Sequence, residues 1–572
     1  MHRRPSLKLV ALVVLIVALL SGSALRAKEL SIKRQFIHDE MISYVAATGH
    51  EDQYLQATGA VGKEADHGTL TGRWVPAADW KRLTEPGDFW DFGAVSSGLA
   101  HTDTHPPLYF WLLHIWVGVA GVHLKDGIAM NILTTLATGV VLFLLARRLL
   151  KNALEAALVV LVWDVSPPML ATSFIARQYD LYAFFVALLF LLVVRAADPE
   201  LPFRRREFAA IALATAGGML THYQFVFIVV TAGVFATLFL VRSRRRRLFA
   251  VAASFVTGLP VFLLAAPHFY ESVRRQSTWQ ASGIGLSALG VRLHTVGSNL
   301  YPWFGLAVKD LRAAPGVTAA ATRLLWGPLA SGAAAATVGV ALVCAGVALV
   351  LALALPRSRP KVRTYLARID TTGVVQVLVL LAGVVVGIVG MYLSFRSPWY
   401  AMHDRYMAPM WVMLAFVPVL LARLLVGRSR YVVVAAFVVL VMLPASLGRL
   451  HTLRNSAPNP SRVLEAASRI VIDGPDRGNG SRMLFWIPDA TPVFVAWQSQ
   501  LRQHPDAWLP KLQAGDVYLN LPLFSNTSAS FAAMQRLVGA RFDMRLRRDG
   551  VRGVGRMFIL TAKATPGLGS AP

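Results

Sequence analysis

The chain has 572 residues, of which 55% are hydrophobic, and its mean hydropathy of +0.52 is above that of ordinary soluble domains. The formal net charge of +26 comes from basic residues that fall in short runs between apolar segments. A nucleic-acid-binding protein would show a basic face on a soluble domain, so nucleic acid is not predicted as a partner. The single cysteine, Cys344, excludes an internal disulfide framework.

The first apolar segment follows the basic start MHRRPS and runs to about residue 26. Small residues at Ala24 and Ala27 would suit cleavage of a signal peptide, whereas a polytopic protein would keep the segment as its first helix. Both interpretations place the loop that follows on the outer side of the membrane.

Apolar segments recur along the chain and predict a polytopic α-helical membrane protein. Basic runs mark the cytoplasmic ends of helices, because Lys and Arg are enriched in cytoplasmic loops. Requiring every such run to be cytoplasmic predicts about eleven transmembrane helices of roughly 20 residues each. They are placed near 9–26, 128–146, 153–171, 180–195, 207–222, 224–241, 248–266, 329–355, 373–394, 407–426 and 431–447.

The apolar run 108–123, LYFWLLHIWVGVAGVH, is predicted not to cross the bilayer. A crossing would move Arg147 and Arg148 to the outer side and break the charge pattern. The aromatic residues at its start suit the membrane–water interface, as do His114 and His123. The run is therefore predicted to be a juxtamembrane helix on the outer leaflet.

This topology predicts two domains. A transmembrane domain covers 1–450, with a first outer loop over about 27–127, and a soluble extracytoplasmic α/β domain covers 451–572. Within the second domain, RMLFWI, DVYLNL and RMFIL are predicted to be short buried strands. The segments NPSRVLEAASRIV, TPVFVAWQSQL and SASFAAMQRLV are predicted to be helices.

Acidic residues collect on the predicted outer side, close to helix ends. FIHDEM places Asp39 and Glu40 soon after the first helix, and HTDTHPPLYF places Asp103 ahead of the juxtamembrane helix. A carboxylate at the water-facing mouth of a membrane domain can accept a proton from an attacking hydroxyl. Each of these acids could also be a solvated loop residue or a helix cap.

Basic residues lie at the outer ends of other helices, against the usual charge bias. They are His105 in DTHPPLYF, Arg177 in ARQYDLY, His222 beside Tyr223 in THYQF, and Arg405 in HDRYM. An Arg fork suits a phosphate, and ionisable residues at membrane depth usually line a site. The simpler alternative is that the arginines snorkel to lipid headgroups. With the acids, the set fits transfer of a group from a lipid phosphate to a hydroxyl.

These motifs resemble the GT-C membrane glycosyltransferases. The likeness rests on Asp39-Glu40 after the first helix, on DTHPPLYF at 103–110, and on ARQYDLY, LTHYQF and the Arg405-Tyr406 pair. It is strongest to the protein O-mannosyltransferase and lipid A aminoarabinose transferase branch, and it extends over roughly residues 1–450. The resemblance implies a GT-C-like fold, a polyprenyl- or dolichyl-phosphate sugar donor, and inversion at the anomeric carbon.

The same resemblance implies roles for the acidic residues. Asp39 would be the catalytic base, and Glu40 would support Asp39 or bind the acceptor. Asp103 occupies the position of a second acid, which in some family members contacts a divalent metal such as Mg²⁺ or Mn²⁺.

The resemblance also implies a group of residues at the donor phosphate. His105 stands where the aminoarabinose transferases have Lys, so the chain follows the mannosyltransferase pattern at that position. Arg177 and Arg405 match basic positions, and LTHYQF adds His222 and Tyr223.

Other functions remain open from the sequence alone: a transporter or flippase of lipid-linked sugars, a ligase of lipid-linked glycans, and a sensor. A transporter would favour ionisable or helix-breaking residues near mid-span and two repeated halves, and neither is evident. The acceptor could be a glycan, a lipid or a protein. An excess of Arg over Lys and many Ala residues indicate a GC-rich bacterial genome, hence a bacterial inner membrane with a periplasmic active site.

Overall fold

The computed structural model describes residues 7–58, 68–102, 105–242, 244–272, 274, 371–394, 404–423, 429–456, 461–474, 478–521, 528–547 and 555–563. This part of the chain is mostly helical and contains one small mixed sheet. The predicted fold class, a polytopic α-helical protein with a C-terminal α/β region, is confirmed.

In chain order the helices are α1 (Leu7–Ile32), α2 (His38–Ala47), α3 (Glu51–Thr58), α4 (Ala77–Lys81), α5 (Phe92–Thr102), α6 (Leu108–Ala120), α7 (Asp126–Leu150), α8 (Ala153–Asp164), α9 (Pro167–Ser173), α10 (Tyr179–Ala197), α11 (Arg205–Thr221), α12 (Phe225–Leu240), α13 (Arg245–Ala265), α14 (Thr371–Ser394), α15 (Ala408–Leu414), α16 (Phe416–Ala422), α17 (Ser429–Phe437), α18 (Leu443–Ser456), α19 (Ser461–Glu465), α20 (Asn479–Leu484), α21 (Gln498–Gln503) and α22 (Ser528–Gly539). Short 3-10 turns cover Arg82–Thr84, Asp404–Met407, Pro505–Ala507 and Leu509–Lys511, and a π-helical turn covers Val438–Met442.

Within the described ranges, 6 helices are long and apolar enough to cross a membrane. A seventh span results if α8 and α9, which are bent by 58° at their junction, count as one. Three further apolar helices are shorter. Helices lie at every predicted position except 329–355, which is outside the described residues. The number of about eleven spans stays a prediction.

The chain divides into two compact units. Unit 1 comprises Met1–Ile32, Thr104–Tyr109 and Gly127–Thr452. Unit 2 comprises Lys33–Asp103, Phe110–Asp126 and Leu453–Pro572. The first outer loop therefore shares a unit with the C-terminal segment, to whose sheet it contributes a strand.

Helix α1 is an integral part of unit 1 because it packs along α8. A Cβ atom at Gly22 would lie 2.1 Å from the Asp164 carboxyl group, so only glycine permits this approach. Arg26 is fully buried, and its Nη1 donates to Asp164 Oδ1 at 2.7 Å. Arg26 and Gly22 therefore give α1 specific contacts with α8.

Helix α6 starts directly after Pro106 and Pro107 and has 13 residues. At 1.5 Å per residue it is about 20 Å long, which is shorter than the bilayer hydrocarbon core. Its exposed side is apolar and includes Leu112, Ile115 and Val119. The location of this helix on the outer leaflet stays a prediction.

The opposite side of α6 is anchored inside unit 2 by His114. This side chain is buried, with Nδ1 2.6 Å from the carbonyl oxygen of Ala47 and Nε2 3.1 Å from that of Phe89. A neutral imidazole can donate only one of these two hydrogen bonds. The contacts tie α6 to α2 and to the loop before α5.

The sheet of unit 2 has the strand order β1-β3-β2-β4-β6-β5. Its strands are β1 (Trp74–Pro76), β2 (Ile470–Asp473), β3 (Pro492–Ala496), β4 (Val517–Asn520), β5 (Phe542–Arg547) and β6 (Arg556–Ala562). The three central strands are parallel, and β1 pairs antiparallel with β3 through Val75 opposite Val493. Helix α22 packs on one face, where Phe531 and Met534 join the hydrophobic core.

Three of the local predictions for the C-terminal segment were correct and three need correction. DVYLNL and RMFIL contain β4 and β6, and SASFAAMQRLV contains α22. RMLFWI instead includes the end of α20, and TPVFVAWQSQL divides into β3 followed by α21. NPSRVLEAASRIV reaches from α19 into β2. Short apolar runs do not distinguish a buried strand from a buried helix, since neither shows alternation.

Asp473 ends the central strand β2 as a fully buried carboxyl group. Its Oδ2 accepts hydrogen bonds from Tyr518 (2.6 Å), Asn520 (2.8 Å) and Gln498 (3.0 Å). Burial raises the pKa of Asp473, and these donors oppose the increase only in part.

We expect this raised pKa to make the sheet less stable as the pH rises. The folded state holds the Asp473 proton more tightly than the unfolded state, so its stabilising contribution is complete below the unfolded-state pKa. It is lost as the pH passes the folded-state pKa. Between about pH 4 and pH 8, the thermal unfolding temperature of wild type should fall further than that of Asp473→Asn. The exposed Asp543→Asn is the control; identical pH profiles for Asp473→Asn and wild type would show the expectation to be wrong.

Candidate active site

Asp39 lies in the first turn of α2, within unit 2. The partial positive charge of a helix N-terminus stabilises a carboxylate at this position. Its Oδ1 is 3.0 Å from Nδ1 of His38, and its side chain is 26% exposed. The carboxylate is therefore oriented by a neighbour and still accessible, as a general base must be.

Glu40, the next residue, is fully buried. Its Oε1 is 2.5 Å from Nζ of Lys33, and its Oε2 accepts from the backbone N–H of Ile37 at 3.1 Å. These contacts fix the start of α2 and hence the backbone that carries Asp39. Because Glu40 is buried, its location favours the predicted role of supporting Asp39 over that of binding the acceptor.

Asp103, the predicted metal contact, lies outside the described residues. Elsewhere in the described ranges, no three His, Cys, Asp or Glu side chains come together in a way that could hold a metal ion. The divalent metal therefore stays a proposal.

Several of the predicted donor-phosphate residues meet in unit 1. We name this group the His222 cluster; it consists of His105, Tyr179, Tyr182, His222, Arg405 and Tyr406. The ring of His222 is stacked on that of Tyr182 at 5.0 Å and lies 6.1 Å from that of His105. Rings from three other parts of the sequence thus converge on the imidazole of His222.

Arg405 is held by two aromatic rings of the cluster. Its Cζ lies 5.7 Å from the ring centre of Tyr179 and 5.4 Å from that of Tyr406, both within cation–π range. The Tyr179 and Tyr406 rings meet edge to face at 5.5 Å. This arrangement orients a permanent positive charge.

His222 provides a buried donor in the same cluster. Its Nδ1 accepts from the backbone N–H of Gln224 at 3.3 Å, so the neutral ring carries its proton on Nε2. Within the described residues, Nε2 has no hydrogen-bond partner. An N–H buried in this way lacks an acceptor that a bound oxygen could supply.

Two helices begin at the cluster and add to its positive character. α10 begins at Tyr179, and α12 begins at Phe225, three residues after His222. The first turn of a helix has unpaired N–H groups and a partial positive charge, which favour an anion. The electrostatics of the cluster therefore suit a phosphate.

The two remaining predicted residues have different surroundings. Arg177 is nine-tenths buried or more and lies two residues before Tyr179, in the connection from α9 to α10. Tyr223 packs its ring against Phe269 at 5.0 Å and Phe262 at 6.2 Å. Thus His105, His222 and Arg405 are brought together, and Tyr223 contacts neighbouring apolar rings.

Two functional candidates, Tyr179 and Tyr182, were missed from the sequence, although both lie in the ARQYDLY motif. Tyr406 was noted only as part of the Arg405-Tyr406 pair. Tyr179 and Tyr182 are three residues apart and share one face of α10, a signal that could have been used. His38 is adjacent to Asp39 in FIHDEM.

Comparison with known proteins gives a family match and similarities to several solved structures. The solved structures of ArnT from Cupriavidus metallidurans, bound to undecaprenyl phosphate and in the apo state, are similar to this chain at 15% and 14% sequence identity. The alignments cover 96% of this chain in both cases, and 97% and 96% of the ArnT chains, with TM-scores of 0.40 and 0.41. No curated protein matches the sequence.

The family match covers the segment that contains most of the predicted donor-phosphate residues. Residues 104–270 match the family described as dolichyl-phosphate-mannose-protein mannosyltransferase. This segment includes His105, Arg177, His222 and Tyr223. The resemblance to GT-C mannosyltransferases is therefore confirmed over residues 104–270, which carry the sequence pattern of that glycosyltransferase family.

Proposed function

We propose that the protein is a glycosyltransferase that moves a sugar from a polyprenyl-phosphate donor to an acceptor hydroxyl, with inversion at the anomeric carbon. The proposed location is the outer face of a bacterial cytoplasmic membrane. The observation that carries the proposal is the His222 cluster, where Arg405, a buried N–H donor and two helix N-termini meet. Its residues come largely from the segment that matches a mannosyltransferase family.

The proposed reaction is a single displacement at the anomeric carbon. The acceptor oxygen forms a bond to this carbon from the face opposite the phosphate, and the bond from the carbon to the phosphate oxygen breaks. The bonding electrons remain on the lipid phosphate. The proton of the acceptor hydroxyl passes to the Asp39 carboxylate, which His38 orients.

The His222 cluster would bind the phosphate and stabilise the charge that develops on it. Arg405 supplies a guanidinium already oriented by Tyr179 and Tyr406, so little side-chain reorganisation accompanies binding. Nε2 of His222 would donate to a phosphate oxygen. Fixed donors of this kind lower the barrier most when the surroundings exclude water.

A divalent metal, Mg²⁺ or Mn²⁺, would add Lewis-acid stabilisation of the leaving phosphate, with Asp103 as one candidate ligand. The described residues provide no three-ligand set for it. The steps above are assigned to the protein's own side chains.

Replacing Arg405 with Gln should weaken donor binding. Loss of a charge-assisted contact with phosphate costs about 1.5–3 kcal/mol, which corresponds to roughly 10- to 100-fold in affinity. The measurement is the dissociation constant for free polyprenyl phosphate, with purified protein in lipid.

Arg430→Gln is a matched control. Arg430 also lies over the ring of the following residue, Tyr431, at 4.8 Å, but it belongs to a basic run predicted to be cytoplasmic. Its buried acidic neighbour, Glu155, retains Arg423 as a partner at 2.5 Å. Equal loss of affinity in both variants would contradict a specific phosphate site at Arg405.

A further inference from the structure

The connection between α9 and α10 is non-helical, although it joins two helices that are largely buried. Arg177 lies in this connection, and its backbone N–H donates to the carbonyl of Ile175 at 2.7 Å. Non-helical backbone inside a membrane domain is stable only if other protein groups satisfy its carbonyls. The hydrogen-bond donors to these carbonyl groups therefore indicate which residues fix the connection.

Asn131 on α7 supplies two of these hydrogen bonds. Its side chain is fully buried, and Nδ2 donates to the carbonyl oxygens of Ser173 at 3.0 Å and Ile175 at 2.9 Å. One turn earlier on the same helix, a Cβ atom at Gly127 would lie 2.7 Å from Cα of Ala176. α7 thus packs directly against the connection, and the Asn131 amide bridges the last residue of α9 and the second residue of the connection.

Two buried charged residues contact the last turn of α9, where the connection begins. Nε of Arg26 on α1 is 2.9 Å from Oγ of Ser173, and Oδ1 of Asp180 on α10 is 2.9 Å from Oγ1 of Thr172. Buried charges are expensive and often contribute little net stability compared with apolar residues. Their contacts with the last turn of α9 favour a role in fixing the point at which the irregular connection begins.

We infer that Asn131, Arg26 and Asp180 form a clamp that positions Arg177 for the donor phosphate. Asn131 acts through backbone carbonyls, and Arg26 and Asp180 act through the hydroxyls of Ser173 and Thr172, so all three are positioning residues. The inference rests on the proposed function, in which Arg177 contacts this phosphate. A displacement of about 1 Å at a reacting group can lower the rate about 10²-fold. A fixed connection would keep Arg177 in position and so maintain the rate.

The test compares Asn131→Leu, which removes the amide at similar volume, with Thr138→Val on the same helix. Thr138 is also fully buried, but its hydroxyl donates only within α7, to the Thr134 carbonyl at 2.8 Å. Two readouts are used: amide hydrogen exchange over 175–178, and affinity for free polyprenyl phosphate. For Asn131→Leu we expect exchange at least tenfold faster and affinity about tenfold weaker, which equals about 1.4 kcal/mol. Thr138→Val should match wild type in both.

Thr172→Val removes the hydrogen bond from Thr172 to Asp180. It serves as the second variant if Asn131→Leu does not fold. It should change both readouts in the same direction. Unchanged exchange in the folded variants would overturn the clamp, and faster exchange with unchanged affinity would overturn its positioning role. Wild type that fails to bind polyprenyl phosphate would refute the proposed function, while the exchange data would still decide whether the clamp holds the connection.

Discussion

Asp39→Asn is expected to abolish most sugar transfer while leaving donor binding intact. The amide has nearly the same shape as the carboxylate but cannot take the proton from the acceptor hydroxyl. Loss of a general base costs about 10²- to 10⁴-fold in rate. The measurement is the turnover rate at saturating donor, together with the dissociation constant for polyprenyl phosphate.

Asp52→Asn provides the control for this effect. Asp52 also belongs to unit 2, is also partly exposed, and also has a histidine partner, since its Oδ1 is 3.2 Å from Nδ1 of His101. It should keep wild-type turnover. If Asp39→Asn retained wild-type turnover as well, Asp39 would not be the base.

Arg26→Met is expected to cause the largest loss of stability. The substitution leaves Asp164 as a buried carboxylate without its 2.7 Å ion-pair partner. Removal of one member of a buried ion pair costs about 3–5 kcal/mol. The measurement is the free energy of unfolding of the full chain in mixed detergent micelles.

The double variant Arg26→Met/Asp164→Asn separates charge from packing. Because it removes both charges, it should recover much of the loss. Lys28→Met, an exposed cation on the same helix, should change stability by no more than about 0.5 kcal/mol. A single Arg26→Met variant as stable as wild type would show that the ion pair does not hold α1 in place.

The helices and the types of site residue could be predicted from the sequence, because both are local properties. Apolar length gave the helix positions, and charge at helix ends pointed to His105, His222 and Arg405. Their convergence could not be predicted, because the 5.0 Å stacking of Tyr182 on His222 depends on how α10 packs against its neighbours. No local pattern encodes that arrangement.

The limits of local reasoning are clearest in unit 2. β1 comes from the first outer loop and pairs with β3, which comes from the C-terminal segment. The two strands are too far apart in the sequence for a local pattern to reveal their pairing. Glu40 was recognised as an acid in a promising motif. Its partner Lys33 lies before the start of α2, outside the regular spacings that relate residues on one helix. The burial of Glu40 could therefore be recognised only from the structure.

Release of free polyprenyl phosphate by wild-type protein in lipid vesicles tests the central claim most directly. A panel of polyprenyl-phosphate sugars would be combined with glycan, lipid and peptide acceptors, and both lipid and sugar products followed. We predict that one donor releases its lipid phosphate while its sugar appears on an acceptor with inverted anomeric configuration. Sugar recovered entirely on its original lipid with every acceptor, particularly if the lipid has moved to the other leaflet, would contradict a transferase and support a flippase.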